Sequence, residues 1–256
     1  MKIVPLASSS SGNAYVVETE GSAVLVDCGI CYKHLKDVAV DAVLITHSHS
    51  DHISGLKTLL KHRDIPVYAN VMTAEAVAHE CGIGDSAFVC FENGQEFEVG
   101  AFTAAAFSVP HDTSDPVGYL LKADGETYFH GTDIGTPLDS IGLKLAEATV
   151  ATLESNHDPV MLRRSGRPPY LIQRIAGPRG HLSNDQACEL VKKFASPRLK
   201  KLYLAHISRQ CNAVHLALEA MKETFREIGR SDIELEVAGR GVSKIKKRGL
   251  TSCVEF

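Results

Sequence analysis

Six consecutive residues, His47-Ser48-His49-Ser50-Asp51-His52, directly after the apolar stretch Ala42-Val43-Leu44-Ile45, constrain the fold of this chain more than any other feature. Three imidazoles and a carboxylate packed this tightly fit neither a hydrophobic core nor an ordinary solvated face. If 42–45 is a strand that runs into an extended segment, side chains two apart point the same way, so His47 and His49 share a face. They can grip one cation, while Asp51 and His52, where the chain turns into a helix, address a second beside it. Imidazole and carboxylate are donors that zinc accepts, and manganese is compatible with the same set. Two cations about 3.5–4 Å apart can activate a water and clamp a departing oxygen. The expectation is therefore an enzyme with two divalent ions as cofactors, zinc ahead of manganese.

Further donors must come from elsewhere in the chain, and strand ends are where the loops of a rigid sheet converge on a site. His111 in Val109-Pro110-His111-Asp112, Asp133 in His130-Gly131-Thr132-Asp133 and His206 after Leu204-Ala205 each stand at such an end. Short runs rich in Val and Ile with turn-forming borders predict strands at 3–6, 14–18, 23–27, 42–45, 67–69, 88–91, 102–107, 118–122, 127–130, 149–153 and 202–205. Apolar residues at helical spacing predict a helix following His52 through Ile53, Leu56, Leu59 and Leu60, and others at 73–80, 138–146, 183–194 and 213–228. Ser183-Asn184-Asp185-Gln186 has the spacing of a capping box. The pattern is two β-rich halves, each with helices, expected to pack as sheets face to face with helices outside. The Arg-, Pro- and Gly-rich stretch between Ser155 and Gly180 reads as a surface loop. No repeat or composition shift marks a boundary, so 1–256 is expected to be a single domain.

Composition narrows the surroundings. The chain is 44% hydrophobic and 23% charged with a formal net charge of −4, ordinary for a globular protein, so a nucleic-acid partner would need a local basic patch. Seven Cys form no disulfide framework, and Cys28 and Cys31 lack the second pair a zinc ribbon needs. No secretory leader is evident and no apolar run approaches the roughly 20 residues of a membrane span. A reducing cytoplasm is the expected location.

The spacing of these motifs resembles the metallo-β-lactamase superfamily over nearly the whole chain. Asp27 in Val24-Leu25-Val26-Asp27-Cys28-Gly29 matches its first motif, a carboxylate that supports the ligand loop. His47, His49, Asp51 and His52 match the second, and His111, Asp133 and His206 match the third, fourth and fifth. The resemblance implies a four-layer αββα sandwich of the metallo-β-lactamase fold. It also implies His47, His49 and His111 on one metal, Asp51, His52 and His206 on the other, and Asp133 as bridge. More narrowly, Ser8-Ser9-Ser10-Ser11-Gly12-Asn13, Leu153-Glu154-Ser155-Asn156-His157-Asp158, Gly180-His181-Leu182-Ser183-Asn184 and Ala205-His206-Ile207-Ser208-Arg209 look like the WalJ/YycJ group, which is linked to 5′→3′ exonuclease action on DNA. Gly180-His181-Leu182-Ser183 also resembles a segment of the β-CASP nucleases, where a Glu and a His outside the metal shell help the departing oxygen. Glu154 and His181 are the matching residues. β-CASP enzymes insert a large domain between the fourth and fifth metal motifs, whereas Asp133 and His206 are only 73 positions apart here.

The substrate class follows from charge and chemistry. Asp51, Glu154 and His181 are the expected catalytic residues: Asp51 with the metals, His181 as proton donor or phosphate ligand, Glu154 to orient it. Arg163, Arg164, Arg167, Arg174 and Arg179 precede His181, and Arg forks match phosphate geometry. Arg163, Arg164, Arg167 and Arg209, with Ser9, Ser10 and Asn13 of the Ser-rich turn, are expected to contact substrate. A second basic cluster, Arg240, Lys244, Lys246, Lys247 and Arg248, is evenly balanced between substrate contact and a solvated face. The favoured reading is a phosphodiesterase acting on nucleic acid, DNA ahead of RNA. A small-molecule thioester or lactone hydrolase of the same fold is the alternative, and a non-hydrolytic metal sensor is a third.

Overall fold

The computed structural model describes residues 1–239, so the basic cluster from Arg240 to Arg248 lies outside the described residues. The first sheet is built from consecutive strands β1 (Lys2–Ser9), β2 (Gly12–Thr19), β3 (Ser22–Val26), β4 (Ala42–Leu44), β5 (Val67–Asn70) and β6 (Phe88–Phe91), in that order. Its first three strands are antiparallel and the remaining pairings parallel. The second sheet runs β13 (Glu234–Val237), β12 (Lys201–Ala205), β11 (Val150–Glu154), β10 (Glu126–Gly131), β9 (Val117–Ala123), β8 (Phe102–Ser108), β7 (Glu96–Val99). The β10, β11, β12 and β13 pairings are parallel, so these strands all end on the same edge.

The described residues form two compact units interleaved in sequence: 1–106 with 113–116 and 239, and 107–112 with 117–238. Each has its own core. In the first, Val16, Leu25, Val43 and Ile45 pack with Ile53 of the short α1 (Ser50–Ile53), Leu56 and Leu59 of α2 (Leu56–His62) and Val77 of α3 (Val71–Cys81). In the second, Phe129, Leu153, Leu202 and Leu204 pack with Leu145 of α4 (Asp139–Ala146), Leu190 of α7 (Asn184–Phe194) and Met221 of α8 (Val214–Glu227).

Most expected elements are present with ends displaced by a few residues. The helix expected to follow His52 begins instead at Ser50, so Asp51 and His52 sit in its first turn, and a break separates it from α2. Gly55 sits at that break because a Cβ there would stand 1.9 Å from the Ile30 carbonyl oxygen. The stretch read as a surface loop carries two short helices, α5 (Pro159–Arg163) and α6 (Pro169–Ala176). Asp158 caps α5, its Oδ1 accepting from the amides of Val160 (3.0 Å) and Met161 (2.7 Å), and proline opens both helices, where a missing N–H costs nothing. Two strands that the sequence pattern does not reveal are β7 and β13, both short and half charged. The capping box is present: Ser183 Oγ accepts from the Gln186 amide and Gln186 Oε1 from the Ser183 amide.

Candidate metal centre

In the first unit, β4 ends at Leu44 and releases the ligand run, which Asp27 holds from the end of the neighbouring β3. Asp27 is fully buried and has a positive φ of 60°. Its Oδ1 accepts the Thr46 amide at 2.9 Å, and the Thr46 hydroxyl donates to the same carboxylate. Asp27 Oδ2 lies 2.8 Å from His52 Nδ1, and Thr46 Oγ1 lies 2.9 Å from His47 Nδ1. A carboxylate only accepts, so His52 carries its proton on Nδ1; the Thr46 hydrogen goes to Asp27, so the Thr46 oxygen accepts from His47 Nδ1. Both rings thereby keep Nε2 as an electron-pair donor. His47 Nε2 and His49 Nδ1 converge to 3.2 Å, and His52 Nε2 stands 3.6 Å from Asp51 Oδ2. Glycine makes the arrangement compact: a Cβ on Gly29 would stand 1.6 Å from the Asp51 carbonyl oxygen.

The second unit presents its own set at the ends of β10, β11 and β12. Asp133 and His206 have φ of 56° and 53°, a region that side-chain-bearing residues enter rarely and often at functional positions. One carboxyl oxygen each of Asp133 and Glu154 and one ring nitrogen each of His181 and His206 lie within 4.8 Å of one another. Glu154 is fully buried. Its Oε1 faces both His181 Nδ1 and His206 Nδ1 at 2.9 Å, and its Oε2 accepts the amides of Ile134 (2.8 Å) and Leu182 (3.0 Å). Burial pushes its pKa up, but the His181 charge and the hydrogen bonds from both imidazoles outweigh it, and the carboxyl stays well below the usual range. Burial also opposes a charge on His181, yet the carboxylates of Glu154 and Asp133 raise its pKa above the ordinary imidazole value. His111 goes the other way, lowered chiefly by burial, and its Nδ1 donates to the Gly180 carbonyl at 3.0 Å. Neutral His111 therefore keeps Nε2 as a donor.

The donor chemistry fits divalent metal. His47, His52, His111 and His206 each have Nδ1 engaged by a hydroxyl, a carboxylate or a carbonyl, the outer support that fixes the tautomer of a ligating imidazole. The sequence expectation gives Glu154 the task of orienting His181 alone; one of its oxygens serves His181 and His206 together.

The expected substrate contacts are placed unevenly. Ser10 is exposed at the β1–β2 turn, while Ser9 is buried with its hydroxyl accepting the Ser11 amide. Asn13 is fully buried, its amide 3.1 Å from Asp51 Oδ2 and 3.0 Å from His52 Nε2, so its contacts are with ligand candidates. Arg163, Arg164 and Arg209 are exposed, and Arg167 donates to Gln210 Oε1 at 2.7 Å. Arg174 pairs with Asp112 at 2.5 Å, and Arg179 donates to the His111 carbonyl at 2.9 Å. These two arginines thus brace the His111 loop. Cys28 is buried, and burial pushes its thiol pKa far up, while Cys31 is exposed. No described helix is long and apolar enough to cross a membrane.

The supporting residues are what sequence reasoning misses. Thr46 looks like one more residue at the end of a strand. Asn156 donates to the His206 carbonyl at 2.8 Å and so holds its unusual backbone. Ser155, Asn184 and Asn212 form a buried ring: Ser155 Oγ to Asn184 Oδ1 at 2.6 Å, Asn184 Nδ2 to Asn212 Oδ1 at 3.0 Å, and Asn212 Nδ2 to the Ser155 carbonyl at 3.0 Å. Ser155, Asn156 and Asn184 lie in recognised motifs, but nothing in the residue order pairs them.

The family described as a beta-lactamase superfamily domain matches residues 23–207. The chain is 34% identical over 244 residues to the exodeoxyribonuclease WalJ of Streptococcus pneumoniae, covering 91% of this chain and 90% of that protein. It is 33% identical over 235 residues to the exodeoxyribonuclease YycJ of Bacillus anthracis, covering 88% and 89%. Among solved structures, the metallo-beta-lactamase fold protein YhfI of Bacillus subtilis superimposes with a TM-score of 0.71 at 18% identity, over 93% of this chain and 96% of that one. The strand-end candidate ligands, their buried supports and these likenesses lead to one conclusion: this chain belongs to the beta-lactamase superfamily and has the metallo-β-lactamase fold.

Proposed function

We propose that this protein is a metal-dependent exonuclease that degrades DNA in the 5′→3′ direction. The observation that carries the reading is the Glu154–His181 pair, 2.9 Å apart beside Asp133 and His206, with the His181 side chain still 21% exposed. On the order of the superfamily motifs, His47, His49 and His111 would hold one divalent ion, Asp51, His52 and His206 the other, and Asp133 would bridge. When bound, the ions would supply an activated water and a neutralised phosphate. The chain itself supplies the proton. With Nδ1–H given to Glu154, protonated His181 carries a second N–H on Nε2. As the water oxygen forms its bond to phosphorus and the ester P–O bond breaks, that proton passes to the departing oxygen. A departing alkoxide needs such a donor and a departing thiolate does not, so the placement of His181 against Glu154 favours a phosphodiester over a thioester. Similarity to two exodeoxyribonucleases across about nine-tenths of both chains supports DNA as substrate.

The test is digestion of end-labelled single-stranded and duplex DNA and RNA by metal-stripped protein to which zinc or manganese is returned. The expected result is metal-dependent release of mononucleotides from the 5′ end of DNA, with two ions bound per chain by elemental analysis. Hydrolysis of a thioester or lactone panel with no attack on any nucleic acid would move the protein to the small-molecule hydrolases.

A further inference from the structure

Helix α6 differs from the other α-helices of the described residues in that none of its eight residues is buried. It is held by its ends. The Ile175 carbonyl accepts the His181 amide at 2.9 Å, and a Cβ on Gly180 would stand 2.2 Å from the Arg174 and Ile175 carbonyl oxygens, so the helix abuts the catalytic His181 segment. Before it, Arg167 reaches Gln210, four residues beyond His206. At its start stands Tyr170, 72% exposed, the most exposed of the large apolar side chains and the sole aromatic among them in the described residues. Pro168 and Pro169 precede it and lock their own φ angles, so the ring projects from a stiff backbone. From Pro159 to Asn184 the chain contains five arginines and no Asp or Glu. Among the described residues Arg163 and Arg164 are exposed and make no ion pair.

We propose that Tyr170 is a stacking platform for a base of single-stranded nucleic acid, with Arg163 and Arg164 on its phosphates; this rests on the nuclease reading and names the strandedness of the substrate. An exposed aromatic ring on a basic surface is the arrangement that binds single strands without sequence preference, because every base offers a π face. A duplex keeps its bases stacked on each other and offers the ring nothing except at a frayed end. Tyr170 and Ile175 are five residues apart, about 7.5 Å along the helix axis, or roughly two nucleotide rises. The platform therefore engages a base a few nucleotides from the one whose ester is cut. Charge sets the occupant: a second copy of this chain, net −4, has less to offer an acid-free arginine surface than a polyanion does.

The experiment measures binding of a phosphorothioate single strand carrying a fluorescent purine analogue, and of the matching duplex, to the metal-loaded protein and to Tyr170→Ala, Tyr170→Phe and Tyr170→Trp. Tyr170→Ala should weaken single-strand affinity roughly tenfold to a hundredfold and abolish quenching of the analogue, and Phe or Trp should restore both. The salt dependence of Tyr170→Ala should stay parallel to the parent, because stacking releases no counterions. Equal single-strand binding by Tyr170→Ala in a protein that degrades DNA would overturn the platform and leave the nuclease intact. A parent protein that neither binds nor degrades nucleic acid would overturn the nuclease and the platform with it. A change of oligomeric state in Tyr170→Ala by sedimentation, with unaltered DNA binding, would make the tyrosine a protein contact instead.

Discussion

Three candidate site residues, Asp27 in the first unit and Asp133 and His206 in the second, share an unusual backbone conformation and a common position just past a strand end. A positive φ at Asp or His costs on the order of 1–3 kcal/mol and persists only where surrounding contacts over-determine it. Here those contacts are visible: the Asp27 carboxylate is engaged by Thr46 and His52, and the His206 carbonyl by Asn156. The strain is set against the fixed aim of these side chains. Thr46 is the joint between Asp27 and His47, so Thr46→Val, nearly isosteric but without the hydroxyl, should lower metal affinity by about 10–100-fold, the usual effect of losing outer support for a ligand. Competition with a chromophoric chelator measures it, and an unchanged affinity would leave Thr46 a packing residue. His181→Ala should retain both ions while kcat on DNA falls by roughly 10²–10⁴. Loss of metal together with activity would instead make His181 a ligand. Asp133→Ala should release metal, since it removes the proposed bridge, and full metal content in that variant would remove Asp133 from the ligand set.

At the scale of elements, the ligand run is shaped by what its neighbours leave room for. The Asp51 carbonyl passes Gly29 and the Ile30 carbonyl passes Gly55, at distances no Cβ permits. Gly29→Ala must displace the turn that carries Asp51 and His52, and the expected outcome is a protein that unfolds at lower denaturant and binds metal more weakly. In the second unit helix α7 anchors the His181 segment, because its cap Ser183 lies two residues beyond His181. Ser183→Ala should cost about 1 kcal/mol of unfolding free energy by denaturant titration, the ordinary loss of an N-cap. A larger loss would show that the cap also supports the buried ring of Ser155, Asn184 and Asn212. Elements with a buried face were legible from periodicity. The strands that escaped, Glu96-Phe97-Glu98-Val99 and Glu234-Leu235-Glu236-Val237, are the two edges of the seven-stranded sheet. Their charged alternate residues are what an edge carries to deter pairing with another chain, and that charge weakens the apolar signal of a strand.

For the molecule as a whole, net charge and local charge point different ways. The chain carries −4 overall, yet residues 159–184 contain no acid. Arg174 and Arg179 are already engaged by the His111 loop, so Arg163 and Arg164 are the residues of this run proposed to meet a polyanion. Replacing Arg163 and Arg164 with Gln should reduce the slope of log affinity against log salt by about 0.7 for each single-strand phosphate that an arginine no longer neutralises. An unaltered slope, read from binding titrations over a range of salt, would reduce these residues to a solvated face.

The local code of this protein is written in short range, and the sequence by itself determined it: alternating apolar residues for the buried strands, a helical period for α3, α7 and α8, a capping box at Ser183, and a dense His and Asp run whose donors suit a divalent metal. Motif order extended that to His111, Asp133, Glu154, His181 and His206. The tertiary structure decided what supports them. Thr46 between Asp27 and His47, one Glu154 oxygen shared by His181 and His206, Asn156 on the His206 carbonyl, and α5 and α6 in place of a loop have no period or spacing to announce them. Each depends on a hydrogen bond or close approach between segments distant in sequence, or on a cap whose effect is local but whose place is fixed by packing. Periodicity records which face of an element is buried; it carries no record of which buried polar atom will find which partner, and that pairing is settled only when neighbouring strand ends are brought together.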